Sequence, residues 1–221
     1  IVVPLKKISK PMRQAVVSRE DRRFFRHAGV DIQGVMRAFV ATYVKKGATQ
    51  GGSSLTQQYV KNVLLLQAQE DNDPIAEYHA SEETVARKLR EMLIAVQMEK
   101  TYSKLEILQG YLNIAQFGRG IYGVEMAARR YFSTTADKLD IVQAATIAAI
   151  TKNPAAFDPS VESNQKASQR ERNIVLDLMY QEEYISQKQR DEAKAKPLKD
   201  TLKLQDAQAG CSASGDAAFF C

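Results

Sequence analysis

The sequence has no tryptophan, and it contains only two histidines and two cysteines among its 221 residues. A structural zinc site needs four nitrogen or sulfur ligands, so this supply makes a Cys/His zinc site implausible. The cysteines, Cys211 and Cys221, lie in a terminal segment rich in Gly, Ala and Ser. They form either a disulfide, which would indicate an oxidising compartment, or two free thiols.

Long apolar runs are also missing. A membrane-spanning helix needs roughly 20 consecutive apolar residues, and runs such as residues 63–66 are far shorter. No signal peptide is recognisable, and the first residue is Ile1 rather than Met. We therefore expect a piece of a longer chain, with any export signal or membrane anchor upstream.

The composition is that of a folded protein with a small excess of positive charge. Hydrophobic residues make up 44% of the chain and charged residues 26%, which is enough apolar material for a core. The 31 Lys and Arg residues outnumber the 26 Asp and Glu residues, which gives a net charge of +5. This balance favours an anionic partner, such as nucleic acid, an anionic membrane face or a phosphorylated substrate, without choosing among them.

The apolar periodicity is helical along nearly the whole chain, and no alternating run indicates a strand. We therefore predict a mainly α fold, without repeats and without a sustained heptad pattern. Four residues can cap helices at their N-termini: Asp31, Ser54, Ser81 and Ser103, the last in a capping box with Glu106.

The helix after Ser81 is predicted over residues 82–100, with its apolar side chains in the core. Those side chains are Val85, Leu89, Met92, Leu93 and Val96. Further helices are expected near residues 122–131, 138–151, 163–182 and 186–196. Three segments are expected to be irregular: a Gly-rich loop at 47–54, a polar and acidic surface insertion at 67–83, and a linker from 205 onward.

The first segment that can carry chemistry begins with Glu20 and Asp21 and continues through basic and aromatic residues to Gly29. One interpretation is purely structural, because basic residues suit the negative end of a helix dipole. The functional interpretation needs Glu20 to accept a proton, beside arginines that keep its carboxylate ionised.

The second segment, residues 51–62, reads Gly-Gly-Ser-Ser-Leu-Thr-Gln-Gln-Tyr-Val-Lys-Asn. Glycines let the backbone approach a ligand, and the helix start offers free N–H groups to an anion. Gln57 and Lys61 lie four residues apart and share a helix face, which suits a sugar phosphate. The Gly-Lys-Ser/Thr of a nucleotide-binding P-loop is absent. The structural alternative is an ordinary glycine loop with a serine cap.

Two further segments lie on predicted helices. Residues 87–91 read Arg-Lys-Leu-Arg-Glu, which is either a pyrophosphate site with a carboxylate or a solvated charged stripe. Residues 104–113 end in Tyr-Leu-Asn, and small residues follow at 123, 127 and 128. Small residues permit close helix packing, so this last region favours a structural role.

In their order and joint presence, these motifs resemble the glycosyltransferase domain of family 51, the peptidoglycan glycosyltransferases of class A penicillin-binding proteins and monofunctional transglycosylases. The first matching motif begins at Glu20. The last consists of Arg172-Asn173 followed by Val175-Leu176. The resemblance implies a lysozyme-like, two-lobed, mainly α fold, with a small membrane-facing jaw at about residues 30–50. It implies a glycosyltransferase domain at residues 1–200 and a linker at 201–221 toward a transpeptidase domain outside this chain.

The implied reaction polymerises lipid II, an undecaprenyl-pyrophosphoryl disaccharide-pentapeptide, into β-1,4 glycan with inversion and release of undecaprenyl pyrophosphate. Glu20 matches the family's general base. Glu91 matches its second acidic residue, which assists the leaving group directly or through a divalent cation, Mg²⁺ or Mn²⁺. The residues expected to bind substrate are Asp21, Phe24, His27, Ser54, Thr56, Gln57, Gln58, Lys61, Asn62, Arg87, Lys88, Arg90 and Asn113.

The resemblance also implies partners and a compartment. The expected partners are lipid II and the growing glycan strand, the membrane surface through the jaw, the covalently linked transpeptidase domain and other cell-wall synthesis proteins, and not nucleic acid. The jaw's apolar side chains either pack inward or enter lipid. The expected compartment is the outer face of the bacterial cytoplasmic membrane, which favours a Cys211–Cys221 disulfide.

The chain departs from the family pattern in ways that keep alternatives open. Residues 62–86 contain no Lys or Arg, where family members can carry an arginine that holds the donor phosphates. Ser53-Ser54 stands where Ser-Thr is frequent, and either Arg170 or Arg172 can fill the last motif. The alternatives are a catalytically weak transferase, a lysozyme-like hydrolase or lytic transglycosylase, and a basic helical module that binds nucleic acid or membranes.

Overall fold

The computed structural model describes residues 1–39 and 52–205, with side chains described at 1–36 and 52–205. Over these residues the chain is mainly helical, which confirms the predicted fold class. The described part contains no β-strand, and its one isolated bridge joins Gln116 to Tyr122. None of the helices in this part combines the length and the hydrophobicity that crossing a bilayer requires.

The helices follow one another with short connections. They are α1 (Lys10–Glu20), α2 (Ile32–Phe39), α3 (Leu55–Glu70), α4 (Pro74–Ser81), α5 (Val85–Thr101), α6 (Lys104–Ile114), α7 (Val124–Phe132), α8 (Ile141–Ile150), α9 (Gln165–Gln181), α10 (Gln187–Ala195) and α11 (Leu198–Thr201). Single turns of 3₁₀-helix lie at Leu5–Lys7, Phe24–Arg26, Ala136–Lys138 and Glu162–Asn164.

The core is built around α8, which is buried from residue 144 to residue 150. This helix consists almost entirely of Ala, Ile and Val, and its small side chains let α1 and α9 pack closely on either side. Asp140 caps α8 in a capping box with Gln143. At the other end of α8, the next residue, Thr151, contacts Glu20 at the end of α1.

A second group of helices surrounds α3, which packs against α4, α5 and α6. The predicted caps at Ser54 and Ser103 are confirmed, each in a full capping box. The helices expected near residues 122–131, 138–151, 163–182 and 186–196 are present as α7, α8, α9 and α10. Helix α2 begins at Ile32, directly after the expected cap Asp31.

The prediction for α5 was wrong in its cap and in its buried face. Thr84 caps this helix, whereas Ser81 ends α4. Glu91 and Ala95 are the buried residues of α5, while the predicted core residues Val85, Leu89 and Leu93 are exposed.

Two contacts explain which face of α5 is buried. Gly29 lies against the α5 backbone at Ala95, where an added Cβ would come within 2.7 Å of backbone atoms. So close an approach leaves room only for a small side chain on that face. The Lys88 ammonium, which pairs with Glu91, also donates to the Ser53 hydroxyl at 2.6 Å and so turns the Glu91 side of α5 toward the start of α3. The apolar periodicity of the sequence contains no information about these contacts, so it predicted the wrong buried face.

The segment 67–83 is also more ordered than predicted, because most of it is helical. Helix α3 continues to Glu70, and α4 follows after a short turn. The side chain of Asp73 accepts hydrogen bonds from the N–H groups of Ile75 and Ala76, and Pro74 occupies the first turn. An Asp-Pro pair is a helix-start signal, which the acidic composition of this segment obscured.

Some predicted features fall outside the described residues. They include most of the jaw at 40–51 and both cysteines, so the disulfide stays a prediction. At the other end of the domain, the N–H of Lys203 donates to the Tyr131 carbonyl at 2.9 Å and the N–H of Gln205 to the Arg130 carbonyl at 3.0 Å. Residues just beyond the predicted boundary at 200 therefore still pack on α7.

Candidate active site

Glu20 is the last residue of α1, and its half-buried carboxylate is held from two sides. The Gln58 side-chain amide donates to Oε2 at 2.7 Å. The Thr151 hydroxyl lies in hydrogen-bond contact with Oε1. The buried Tyr111 hydroxyl donates in turn to the Gln58 carbonyl oxygen at 3.4 Å. Four helices thus converge on one carboxylate: α1, α3, α6 and the end of α8.

Tyr111 is a neutral donor in this arrangement. Burial, together with the negative charge of Glu20, raises the pKa of the Tyr111 hydroxyl well above its usual value. The phenol therefore keeps its proton and orients the Gln58 amide, so that the NH₂ group faces Glu20.

Asp21 joins the first motif to the second. Its Oδ2 atom accepts hydrogen bonds from the backbone N–H of Leu55 at 3.0 Å and from His27 Nε2 at 2.8 Å. The Asp21 and His27 side chains are only 3% and 6% exposed. A carboxylate at the N-terminus of α3 also interacts favourably with the helix dipole. Asp21 and His27 therefore position the site from inside the protein.

Gly29 and Ser54 make a second link between the same motifs. The Ser54 hydroxyl donates to the Gly29 carbonyl at 2.5 Å. Gly29 has φ +85, a left-handed conformation that favours glycine, and it touches the α5 backbone at Ala95. The end of the first motif is thus fixed to α3 and α5 at once.

Three more of the residues expected to bind substrate are interior residues. Phe24, Thr56 and Gln57 are fully buried. The Lys104 ammonium lies 4.5 Å above the Phe24 ring, and the Thr56 hydroxyl donates to Glu99 Oε1 at 2.5 Å. These side chains shape and support the site rather than form its surface.

Glu91 forms the second charged centre, on α5. Its buried carboxylate is paired with Arg87 Nη1 and, at 2.8 Å, with Lys88 Nζ. Lys88 also donates to the Ser53 hydroxyl at 2.6 Å, and Arg87 Nε donates to the Glu82 carbonyl. Glu91 thereby holds the start of the second motif and the end of α4 close to α5.

A cavity of about 250 Å³ lies beside this centre, between α3, α4 and α5. Arg87, Arg90 and Glu91 line one side of it. The rest of the lining comes from α3, from α4 and from the turn between them: Leu64, Gln67, Ala68, Asp71, Ala76, His79 and Ala80. The acidic segment that the sequence singled out therefore borders the second charged centre directly.

The remaining predicted residues are distributed differently. Arg90 is exposed, and Lys61 and Asn62 are half-buried on α3. The Asn113 amide holds the N-terminal segment, because its Nδ2 donates to the Val3 carbonyl at 2.9 Å and its Oδ1 accepts from the Val3 N–H at 2.8 Å. The structure thus gives Asn113 a structural partner and leaves it out of the Glu20 and Glu91 centres.

Arg172, in the last motif, is fully buried. Its Nη1 donates to the Lys196 carbonyl at 2.8 Å, and its Nη2 donates to the Lys194 carbonyl at 3.4 Å. These carbonyls end α10, so Arg172 caps that helix and joins it to α9. Burial lowers the pKa of the Arg172 guanidinium from its usual value.

Sequence reasoning missed two members of the Glu20 centre. Thr151 belongs to none of the quoted motifs, and its only sequence signal is that it is a hydroxyl residue directly after an apolar helix. Tyr111 was assigned to helix packing, and its buried hydroxyl depends on a tertiary contact with Gln58.

Comparisons with known proteins find related sequences over most of the chain. A family model described as Transglycosylase matches residues 1–180. Penicillin-binding protein 1A of Aquifex aeolicus (strain VF5) is 38% identical over 204 residues, which cover 92% of this chain and 26% of that protein. Penicillin-binding protein 1A/1B of Bacillus subtilis (strain 168) is 37% identical over 199 residues, which cover 90% of this chain and 20% of that protein.

A solved structure is also similar. The crystal structure of penicillin-binding protein 1A from Haemophilus influenzae is 25% identical and covers 69% of this chain and 17% of that chain, with a TM-score of 0.42. The present chain thus spans 26% or less of the length of these relatives.

Proposed function

The chain belongs to the transglycosylase family, the peptidoglycan glycosyltransferases of family 51, and we propose that it polymerises lipid II into β-1,4-linked glycan. The observation that supports this proposal is that the first residues of α3 and its N-terminal loop contact two charged centres, one at Glu20 and one at Glu91. Glu20 is fixed at the junction of α1, α3 and α8. The Glu91 centre on α5 is tied to the start of α3 through Lys88 and Ser53.

The proposed reaction follows from the chemistry of the substrates. The 4-hydroxyl of the acceptor GlcNAc attacks C1 of the donor MurNAc, and its proton passes to the Glu20 carboxylate. The new C1–O bond forms as the bond from C1 to the lipid pyrophosphate breaks on the opposite face, which inverts the configuration. Undecaprenyl pyrophosphate leaves with both bonding electrons, so nearby cations stabilise the transition state.

The Glu91 centre fits a leaving group that departs as an anion. A two-carboxylate glycosidase needs a protonated acid that donates to a glycosidic oxygen. Glu91 instead accepts hydrogen bonds from Arg87 and Lys88 and has a salt bridge to each. This arrangement suits transfer from a pyrophosphate donor better than hydrolysis of finished glycan.

The cations available to the pyrophosphate can be ranked by the exposure of their side chains, because Arg87 and Lys88 each make two contacts within the protein. The Arg87 side chain is only 13% exposed. Lys88 is 31% exposed, and Arg90 is exposed at the adjoining cavity. We therefore propose Lys88 and Arg90, with Lys61 on α3, as the groups that meet the donor phosphates.

These residues do not offer free oxygen ligands for the expected divalent cation. Both Glu91 oxygens are paired with cationic side chains, and the described part of the chain holds no cluster of three His, Cys, Asp or Glu suited to a metal ion. Mg²⁺ or Mn²⁺ therefore stays a proposal, as an ion that the substrate's own phosphates would bring. No step of the reaction above depends on it.

A membrane surface is the proposed partner of the exposed apolar residues on α2 and α5. Ile32 and Met36 on α2 are exposed, in the described part of the expected jaw. On α5, which is described throughout, the exposed residues are Val85, Ala86, Leu89, Arg90, Leu93, Gln97, Lys100 and Thr101, with no acidic residue among them. An apolar stripe with basic neighbours suits an anionic lipid interface.

Helix α5 would lie between the membrane surface and the Glu91 centre. Glu91 and Ala95 lie on its inner face and the apolar stripe on its outer face. A helix with its side chains is about 10 Å across, which would place the Glu91 centre near the lipid headgroups, where the pyrophosphate of a lipid-linked donor lies.

The wider setting is proposed from the family. The relatives are called penicillin-binding proteins and are much longer than this chain. We propose a covalently linked transpeptidase domain, contacts with other cell-wall synthesis proteins, and a location on the outer face of the cytoplasmic membrane.

The test is polymerisation of labelled lipid II in detergent with a divalent cation, comparing the wild-type chain with Glu20→Gln and Glu91→Gln. We expect glycan strands from the wild type and a loss of roughly 10²–10⁴-fold with Glu20→Gln, because a neutral amide cannot take the proton. Degradation of finished glycan would favour the hydrolase instead. Full activity of Glu20→Gln would remove Glu20 from the reaction.

A further inference from the structure

The Thr151 hydroxyl lies between two oxygen atoms that can accept its proton. One is Oε1 of Glu20, and the other is the Ala148 carbonyl oxygen at 2.8 Å. A hydroxyl has one proton and two lone pairs, so at any moment it donates to one of these atoms and can accept from another group. Thr151 directly follows the buried helix α8, which fixes its position.

We propose that Thr151 is a positioning residue that serves Glu20 in both of its protonation states. This inference rests on the proposed function, because it takes Glu20 as the base. While Glu20 is ionised, Thr151 donates to Oε1 and Gln58 donates to Oε2. The carboxylate is then held in one orientation for the acceptor hydroxyl.

The second state follows the proton transfer. The acceptor hydroxyl gives its proton to Glu20 as the new C–O bond forms, so the carboxyl group becomes a hydrogen-bond donor. The Thr151 hydroxyl can then rotate to the Ala148 carbonyl and offer a lone pair to the Glu20 proton. No bond other than hydrogen bonds changes at Thr151, and the proton stays on Glu20.

The other neighbours of Glu20 cannot act as donor in one protonation state and acceptor in the other. The neighbouring cations are engaged elsewhere, because Arg19 pairs with Glu171 at 2.7 Å and Lys152 pairs with the same carboxylate at 3.4 Å. Tyr111 reaches Glu20 through Gln58. Gln58 has fixed donor and acceptor ends, so only a hydroxyl partner such as Thr151 can reverse its direction.

The test compares Thr151→Val, which keeps the shape and removes the hydroxyl, with Thr151→Ser, which keeps the hydroxyl. Thr146→Val is the matched control, because Thr146 is a buried α8 residue whose hydroxyl donates to the Val142 carbonyl at 2.8 Å. For each variant, kcat and KM for lipid II are measured across the pH–rate profile, and folding is checked by thermal unfolding.

We expect Thr151→Val to lower kcat by roughly tenfold or more with KM nearly unchanged. The acidic limb of the kcat profile should move toward higher pH by roughly half a unit to one unit, because hydrogen bonds to the ionised form are stronger than those to the neutral form. Thr151→Ser should restore both quantities, and Thr146→Val should leave the limb in place.

The inference is overturned if Thr151→Val keeps the wild-type kcat and acidic limb, or if Thr151→Ser behaves like Thr151→Val. An equal displacement of the limb in Thr146→Val would also overturn it, since that result would show a general effect of loosening α8. Failure of the proposed function gives a different result: the wild type itself would make no glycan, or Glu20→Gln would remain active.

Discussion

At the scale of single residues, buried polar side chains hold the segments of this site together by hydrogen bonds. Asp21 shows why, because its carboxylate accepts hydrogen bonds from two different motifs while almost fully buried. Leu55 opens α3, the helix that carries Gln58 to Glu20. A change at Asp21 should therefore disturb both stability and the orientation of the base.

Replacing Asp21 by Ala tests this role. The change leaves the buried Leu55 N–H and His27 without their acceptor, so we expect a loss of about 2–3 kcal/mol in the free energy of unfolding. Denaturant unfolding measures this loss, with the exposed Asp200→Ala as the matched control, which should stay within about 0.5 kcal/mol of wild type. A loss of polymerisation without any loss of stability would instead indicate that Asp21 acts directly on substrate.

At the scale of elements, the contact between the first motif and α5 decides which face of that helix is buried. Gly29 has φ +85 and touches the Ala95 backbone, while Gly120 has φ +69 and nothing within 4 Å of an added Cβ. The two glycines therefore separate two effects that usually occur together: the conformational cost of a left-handed residue and the cost of a steric clash.

Alanine at each glycine measures the difference. Gly120→Ala should lower the free energy of unfolding by about 1–2 kcal/mol, the cost of a left-handed non-glycine residue. Gly29→Ala should lower it further and reduce glycan synthesis, because the first motif must move away from α5. Equal losses for the two variants would show that the Ala95 contact relaxes easily and does not fix the site.

At the scale of the whole molecule, Val85, Leu89 and Leu93 of α5 face outward while the Glu91 carboxylate is buried. This is the reverse of an ordinary surface helix of a globular protein. Leu89 and Leu93 are 56% and 73% exposed, with Arg90 and Lys100 among their exposed neighbours. The proposed contact with a lipid surface accounts for this arrangement.

The Leu89→Glu and Leu93→Glu variants test the membrane contact by sedimentation with vesicles that contain anionic lipid. Each change should weaken binding roughly tenfold or more, because a buried leucine contributes about 1.5–3 kcal/mol and the new carboxylate is repelled by the lipids. Ile174→Glu is the control, as an exposed apolar residue on α9. Unchanged vesicle binding with a loss of self-association would assign the face to a second copy of the chain.

The sequence by itself determined what depends on local patterns. Helical periodicity predicted the fold class, and the Ser103–Glu106 pair predicted a capping box that the structure contains. The ordered motifs led to the family that the comparisons then showed. Each of these signals arises from side chains and backbone within a few residues of one another, so it can be recognised in the sequence without knowledge of the fold.

Only the tertiary structure decided which groups meet. Thr151 is 131 positions away from Glu20 in sequence, and no local pattern joins them. Likewise, Asn113 satisfies its amide on Val3, and Arg172 caps α10 rather than standing in a cleft. The outward face of α5 follows from the close approach of Gly29 to Ala95 and from the contact of Lys88 with Ser53. Contacts between distant segments set these outcomes, and their balance of sterics and charge exists only in the folded chain.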